Sequence, residues 1–222
     1  MSTHAREQLG FEVRTVTWSS STSLWMGVAF LVALGLAGTV LATFSAEDRG
    51  TEIALRVTAR WSFLLFWCAY AGGAIAKLFG QRFGLLGRYG RNFGLAFASA
   101  QLVHVGLIVW LYHISSGPAG AMTIFWLGIF FTYLLALFSW PRVREMVGPL
   151  VWRVLLTIAL ECIAYVFALD FIQIPLVEHG LSKYPPSYLP FTLMLVGGFG
   201  LRVAALIKRI YGATGPGGIR NL

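Results

Sequence analysis

The chain has 222 residues, of which 57% are apolar and only 12% are charged. A soluble globular domain carries about 25% charged residues, so this composition predicts an all-α integral membrane protein and excludes a soluble enzyme domain. The formal charge of +8 could indicate a nucleic-acid partner, but most basic residues lie in short segments between apolar runs, where membrane topology explains them. We therefore expect contact with the lipid bilayer and no nucleic-acid partner.

Six apolar runs follow one another along the chain, and each is long enough to cross about 30 Å of hydrocarbon as a helix. The predicted spans are residues 24–44, 61–79, 93–113, 119–140, 149–171 and 188–207. These spans leave no room for a separate catalytic domain, so the sequence predicts one bundle of six transmembrane helices over residues 1–222. Longer loops are expected at residues 45–60 and 172–187.

Lys and Arg residues are distributed unevenly between the two sides of this predicted bundle. If the N-terminus is cytoplasmic, thirteen of the 17 basic residues lie on its side of the membrane. The four on the other side are Arg49, Arg56, Arg60 and Lys183. Because short cytoplasmic loops are enriched in basic residues, we predict that both termini are cytoplasmic.

Two ionisable side chains lie near the middle of predicted spans, where such groups are costly and are therefore candidates for a function. His104 lies halfway along the third span, where it would serve either as a haem ligand or as a neutral histidine hydrogen-bonded within the bundle. Glu161 lies midway along the fifth span. At 1.5 Å per residue from the span starts, both reach a depth of about 17 Å, which predicts a His104–Glu161 hydrogen bond if the two helices are adjacent.

Three other polar residues are predicted to lie at membrane interfaces. His113 follows His104 by nine residues, which places the two histidines on opposite faces of one helix and prevents a shared site. Asp170 and Arg202 lie near predicted span ends, from which each side chain can reach the headgroup region.

Short motifs around the second and third spans indicate a family relationship. The letters TARW at residues 58–61 precede an apolar span and a basic loop, and the letters RYGRNFGL at residues 88–95 precede His104. This pattern resembles the ferric-reductase-like transmembrane domain, and most of all the haem-binding membrane subunit of the bacterial periplasmic methionine sulfoxide reductase system. In that family a haem-ligating histidine follows a Gly-Leu pair by nine residues, as His104 follows Leu95.

The resemblance covers about residues 56–171 and implies a multi-pass protein of the bacterial inner (cytoplasmic) membrane. It implies that His104 ligates haem b and that Arg60 and Arg91 pair with haem propionates. The family's fifth span carries a Trp, a histidine four residues later and a second histidine about thirteen residues beyond that. Here Trp152 matches, but leucine stands at both histidine positions. We therefore expect no bis-histidine haem and no cofactor. The alternative that stays open is haem b on His104, either five-coordinate or with a weaker second ligand from the fifth span.

Three functions are compatible with these observations. The first is a non-catalytic subunit that keeps the scaffold and packs with other subunits in a larger membrane complex. The second is a haem b electron carrier that serves a periplasmic or outer-side reductase partner. The third is a small proton-coupled transporter that uses His104 and Glu161 as a proton relay. We favour the first, because the fifth-span ligands are missing and the sequence contains no HExxH, P-loop or CxxC motif.

Overall fold

The computed structural model describes residues 20–115, 122–180 and 183–214. Within these ranges the chain forms nine α-helices, a 3-10 turn (Gly80–Phe83) and a π-helical turn (Leu169–Gln173), and it contains no strand. The helices are α1 (Ser20–Phe44), α2 (Asp48–Phe79), α3 (Gly84–Arg88), α4 (Gly90–Ile114), α5 (Met122–Phe138), α6 (Pro141–Val147), α7 (Pro149–Ala168), α8 (Ile174–His179) and α9 (Leu189–Thr214). The predicted all-α class is confirmed for this part of the chain.

Five spans in the structure are long and apolar enough to cross a membrane: α1, α2, α4, α9, and α7 continued through the π turn into α8. A sixth is reached if α5 and α6 count as one span, although these two helices meet at an angle of 100°. The bend lies at Pro141, where the fourth span was predicted to stop; a proline cannot donate the hydrogen bond that would continue α5. Residues 119–121 of that predicted span lie outside the described residues.

Hydrogen bonds between helix ends show which long helices run in the same direction. Thr22 Oγ1 lies 3.3 Å from Asn92 Oδ1 and joins the starts of α1 and α4. At the same end of the bundle, Lys208 Nζ donates to the Lys77 carbonyl at 3.2 Å and joins the ends of α9 and α2. We call this the basic end, because nine of the described basic residues lie there. They are Lys77, Arg82, Arg88, Arg91, Arg142, Arg144, Arg153, Lys208 and Arg209.

The prediction of a loop at residues 45–60 was wrong for most of that range, because α2 begins at Asp48. An acidic residue in the first turn stabilises the positive N-terminus of a helix, which favours an early start. The segment also carries small residues that α2 buries inside the bundle, including Gly50 and Ala54. A Cβ at Gly50 would collide with the Ser45 carbonyl oxygen, so the turn from α1 into α2 requires glycine at this position. The predicted loop at residues 172–187 likewise contains α8.

The π turn between α7 and α8 has a local cause in the sequence. Pro175 has no backbone N–H, so it leaves the Phe171 carbonyl without the donor that a regular helix would supply. The Tyr184 hydroxyl donates to this carbonyl, and Thr192 Oγ1 donates to it at 3.1 Å. These two hydroxyls tie the turn to the loop before α9 and to α9 itself.

The core contains a set of aromatic rings that we call the aromatic layer, made of Phe66 from α2, Phe97 from α4 and Phe167 from α7. Their centroids lie 5.3 to 6.1 Å apart. On the other side of α2, Trp67 Nε1 donates to the Met194 carbonyl of α9 at 2.6 Å. That contact is permitted by Gly198, where a Cβ would lie 2.9 Å from the same indole nitrogen.

Candidate functional sites in the bundle

His104 of α4 is held by a hydrogen bond to α2. Its Nδ1 lies 3.0 Å from Thr58 Oγ1, and the Thr58 hydroxyl also lies 2.8 Å from the Ala54 carbonyl, to which it donates. Because a hydroxyl has one proton, a Thr58 that donates to Ala54 accepts a hydrogen bond from a protonated Nδ1 of His104. His104 therefore links α4 to α2 through this hydrogen bond.

A small cavity of about 40 Å³ lies beside His104, between α2, α4, α5 and α7. We call it the inner cavity. Its polar lining consists of Gln101, His104, Thr132 and Asp170, and the rest is apolar. Such a volume accommodates a few water molecules. Gln101 Oε1 is buried and has no hydrogen-bond partner among the described residues, so a water molecule in this cavity would satisfy it.

The interfacial prediction for Asp170 was wrong, because its side chain is partly buried and lines the inner cavity. The predicted fifth span ended at residue 171, whereas the helix continues through the π turn into α8, so that Asp170 lies within the span. Two positively charged residues of α2, Arg60 and Arg56, lie near enough to this carboxyl group to attract its negative charge. His113, by contrast, is exposed at the end of α4.

A second polar site, which we call the Glu161 network, joins α2, α7 and α9. Glu161 Oε1 lies 3.0 Å from Arg202 Nη2, and the Tyr70 hydroxyl donates to Glu161 Oε2 at 2.8 Å. Arg202 Nη1 also donates to the Tyr70 carbonyl at 3.2 Å, and the guanidinium carbon lies 4.4 Å from the centroid of the Tyr70 ring. We predicted that Arg202 reaches the headgroup region, whereas its guanidinium bonds Glu161 and Tyr70 within the bundle.

The predicted His104–Glu161 hydrogen bond was also wrong. The two residues bind α2 at Thr58 and Tyr70, which are twelve residues apart and hence about 18 Å apart along the helix axis. The predicted depths of His104 and Glu161 were counted from the starts of α4 and α7. They agreed only because both helices were assumed to begin at the same level in the membrane. Glu161 also lies nine residues before Asp170, so it faces away from the inner cavity that His104 lines.

The two arginines predicted to pair with haem propionates lie far apart. Arg60 donates to Ser187 Oγ at 3.2 Å, and its guanidinium carbon lies 5.2 Å from the centroid of the Tyr188 ring, near the start of α9. Arg91 lies at the basic end and donates to the Ser139 carbonyl at 2.9 Å. The structure therefore does not bring Arg60 and Arg91 into one site.

A larger cavity of about 320 Å³ opens beside Arg91 between α2, α4, α5 and α7. Leu156 lines this cavity together with Trp152. Glycine backbone at Gly90 and Gly94 forms part of its wall, which widens the space because no side chain projects there. The lining contains no His, Cys, Met or Tyr side chain among the described residues.

Haem would need both space for a porphyrin and an axial ligand to the iron. The inner cavity offers the imidazole of His104 but space for only a few water molecules. The larger cavity offers more space but no axial ligand. Neither of these two cavities therefore fits haem. The described residues also contain no group of three His, Cys, Asp or Glu residues that could hold a metal ion.

Sequence reasoning missed Thr58 and Tyr70, the two residues of α2 that hold the ionisable groups. Both are hydroxyl residues in a helix that is otherwise rich in apolar side chains, and hydroxyl groups in such helices commonly bond across to neighbouring helices. That signal was present in the sequence, but it does not say which neighbour each hydroxyl meets.

No family model, curated protein or solved structure matches this chain. The two candidate sites therefore rest on the contacts described above. They consist of the inner cavity with His104 and the Glu161 network.

Proposed function

We propose that this chain is a non-catalytic integral membrane subunit with a degenerate ferric-reductase-like scaffold, and that it packs against other subunits in a larger membrane complex. One observation carries the proposal: two ionisable residues of the spans, His104 and Glu161, use their polar atoms to tie helices together. His104 links α4 to α2, and Glu161 links α7 to both α2 and α9. Groups that satisfy one another in this way stabilise a bundle, and the small volume beside His104 supports a scaffold without haem.

The proposal includes six spans with both termini on the cytoplasmic side of a bacterial inner membrane. The unequal charge of the two ends supports this orientation, since nine described basic residues lie at the basic end. Only four lie at the opposite end: Arg49, Arg56, Arg60 and Lys183. The sixth span is formed by α5 and α6 together. The part played by other subunits rests on the resemblance to a family whose members work as membrane subunits.

The test is to extract the protein from its native membrane in mild detergent and record a reduced-minus-oxidised absorption spectrum, with a gel of the same sample. We expect no haem b bands and at least one stoichiometric partner. Bands that disappear in His104→Ala but persist in His113→Ala would instead identify an electron carrier. A chain that purifies alone without a chromophore would contradict the proposed complex.

A proton-coupled transporter is the second candidate, and the inner cavity is the observation that favours it. This cavity places His104, Asp170 and an unpartnered Gln101 oxygen around space for water, and water-filled polar cavities within spans are typical of proton paths. Proton uptake into reconstituted vesicles should then fall in His104→Gln and in Asp170→Asn but not in His113→Gln. Equal fluxes in all three variants would exclude transport through this cavity.

A further inference from the structure

A groove runs along the outside of the bundle between α7 and α9, and α2 forms its floor. Its part near the basic end has a volume of about 550 Å³ and is lined by residues of α2, α7 and α9, including Lys77 and Arg209. The groove continues toward the opposite end as a space of about 330 Å³. Tyr70, Glu161 and Phe199 line both parts, so the two spaces form one groove.

Positive charge is concentrated where the groove reaches the basic end. Lys77, Arg202 and Arg209 line this part, and Glu161 is its one acidic residue. Glu161 is already paired with Arg202 at 3.0 Å. Neither the Lys77 ammonium nor the Arg209 guanidinium has a carboxylate partner among the described residues, and both side chains are exposed. The mouth of the groove therefore carries two uncompensated positive charges.

The other half of the groove is apolar. Apart from the shared Tyr70 and Glu161 and from Tyr165, its lining consists of Ala164, Ala168, Ile172, Leu195, Val196 and Phe199. Val196 and Phe199 are 58% and 56% exposed, so this surface is free to contact a hydrocarbon chain. The groove thus has a cationic head at one end and an apolar trough along its length.

We infer that this groove binds an anionic phospholipid, with its phosphate between Lys77 and Arg209 and an acyl chain along the apolar part. Charge complementarity selects the headgroup, since each Lys or Arg near a membrane surface favours anionic lipids. The apolar trough distinguishes a lipid from a soluble anion, which would use the mouth alone. The inference is independent of the proposed function, because it requires neither a partner subunit nor His104.

The experiment is native mass spectrometry of the protein released from micelles that contain equal amounts of phosphatidylglycerol and phosphatidylcholine. We expect the wild-type chain to retain phosphatidylglycerol preferentially. The double variant Lys77→Gln/Arg209→Gln should lose this preference by about fivefold for each positive charge removed. The control Arg142→Gln/Arg153→Gln removes the same charge from the basic end outside the groove, and it should retain the wild-type preference.

Three outcomes would overturn the inference. The first is a wild-type chain without a preference for the anionic lipid, and the second is an equal loss in the control, which would show a general basic surface. The third is displacement of the bound lipid by inorganic phosphate alone, which would identify a site for a soluble anion. Because all four substituted side chains are exposed, both double variants should fold, and matching thermal unfolding curves would verify this.

Discussion

Replacing Glu161 with Gln tests the Glu161 network most directly. The amide keeps the shape of the side chain and still accepts a hydrogen bond from Tyr70, but it leaves the Arg202 guanidinium without a carboxylate. At the observed 3.0 Å, the attraction between unit charges is about 5.5 kcal/mol for an effective dielectric constant of 20. Desolvation offsets much of this attraction.

Solvent weakens the attraction between the two charges further, because the Arg202 and Glu161 side chains are 23% and 40% exposed. Polar pairs between membrane helices contribute up to about 1.7 kcal/mol in double-mutant cycles. We therefore expect a coupling free energy of about 1–1.7 kcal/mol between Glu161 and Arg202. For a chain of this size each kcal/mol lowers the melting temperature by about 2–4 °C.

The assay is thermal unfolding in mild detergent, followed by tryptophan fluorescence, for Glu161→Gln, Arg202→Gln and the double variant. Glu52→Gln is the matched control, because Glu52 pairs with Arg56 at 3.7 Å where the side chains are 55% and 61% exposed. We expect that control to change the unfolding free energy by less than about 0.5 kcal/mol. Our reasoning would be refuted if Glu161→Gln destabilised no more than Glu52→Gln, or if the cycle gave no coupling.

Two further predictions use the same unfolding assay, each with a matched control. Gly198→Ala should destabilise by about 1–3 kcal/mol, because its Cβ would lie 2.9 Å from an indole nitrogen, whereas Gly200→Ala meets no atom within 4 Å and should be tolerated. Equal effects at the two glycines would contradict the close α2–α9 contact. Thr58→Val should cost about 1–3 kcal/mol by removing the partner of His104, and Thr39→Val, on the exposed face of α1, should cost less than about 0.5 kcal/mol. A fully stable Thr58→Val would show that His104 does not depend on this bond.

The membrane class and two of the helices could be predicted closely from the sequence. The predicted spans 24–44 and 93–113 lie within α1 (Ser20–Phe44) and α4 (Gly90–Ile114), whose bounds differ from them by at most four residues. A long apolar run is visible in the local sequence, so a spanning helix can be predicted without knowledge of its tertiary contacts.

The contacts of the ionisable residues could not be predicted, because they depend on how each helix is placed along its neighbours. Glu161 and His104 looked level when they were counted from the starts of their own spans, but their partners Tyr70 and Thr58 lie about 18 Å apart on α2. Arg202 was assigned to an interface because the apolar run of α9 ends before the helix does. Propensity and hydropathy carry no information on such displacements.

The length of α2 has a consequence for how the protein lies in its bilayer. Its 32 residues extend about 48 Å, well beyond a hydrocarbon core of about 30 Å. The middle of α1 lies beside Trp61 of α2, whose indole donates to the Ala29 carbonyl at 3.2 Å. The middle of α9 contacts α2 at Tyr70, which lies about 13 Å further along the α2 axis. An oblique crossing of the bilayer by α2 would centre both neighbours in it. We therefore expect α2 to be tilted from the membrane normal, since a helix longer than the hydrocarbon core is accommodated by tilting.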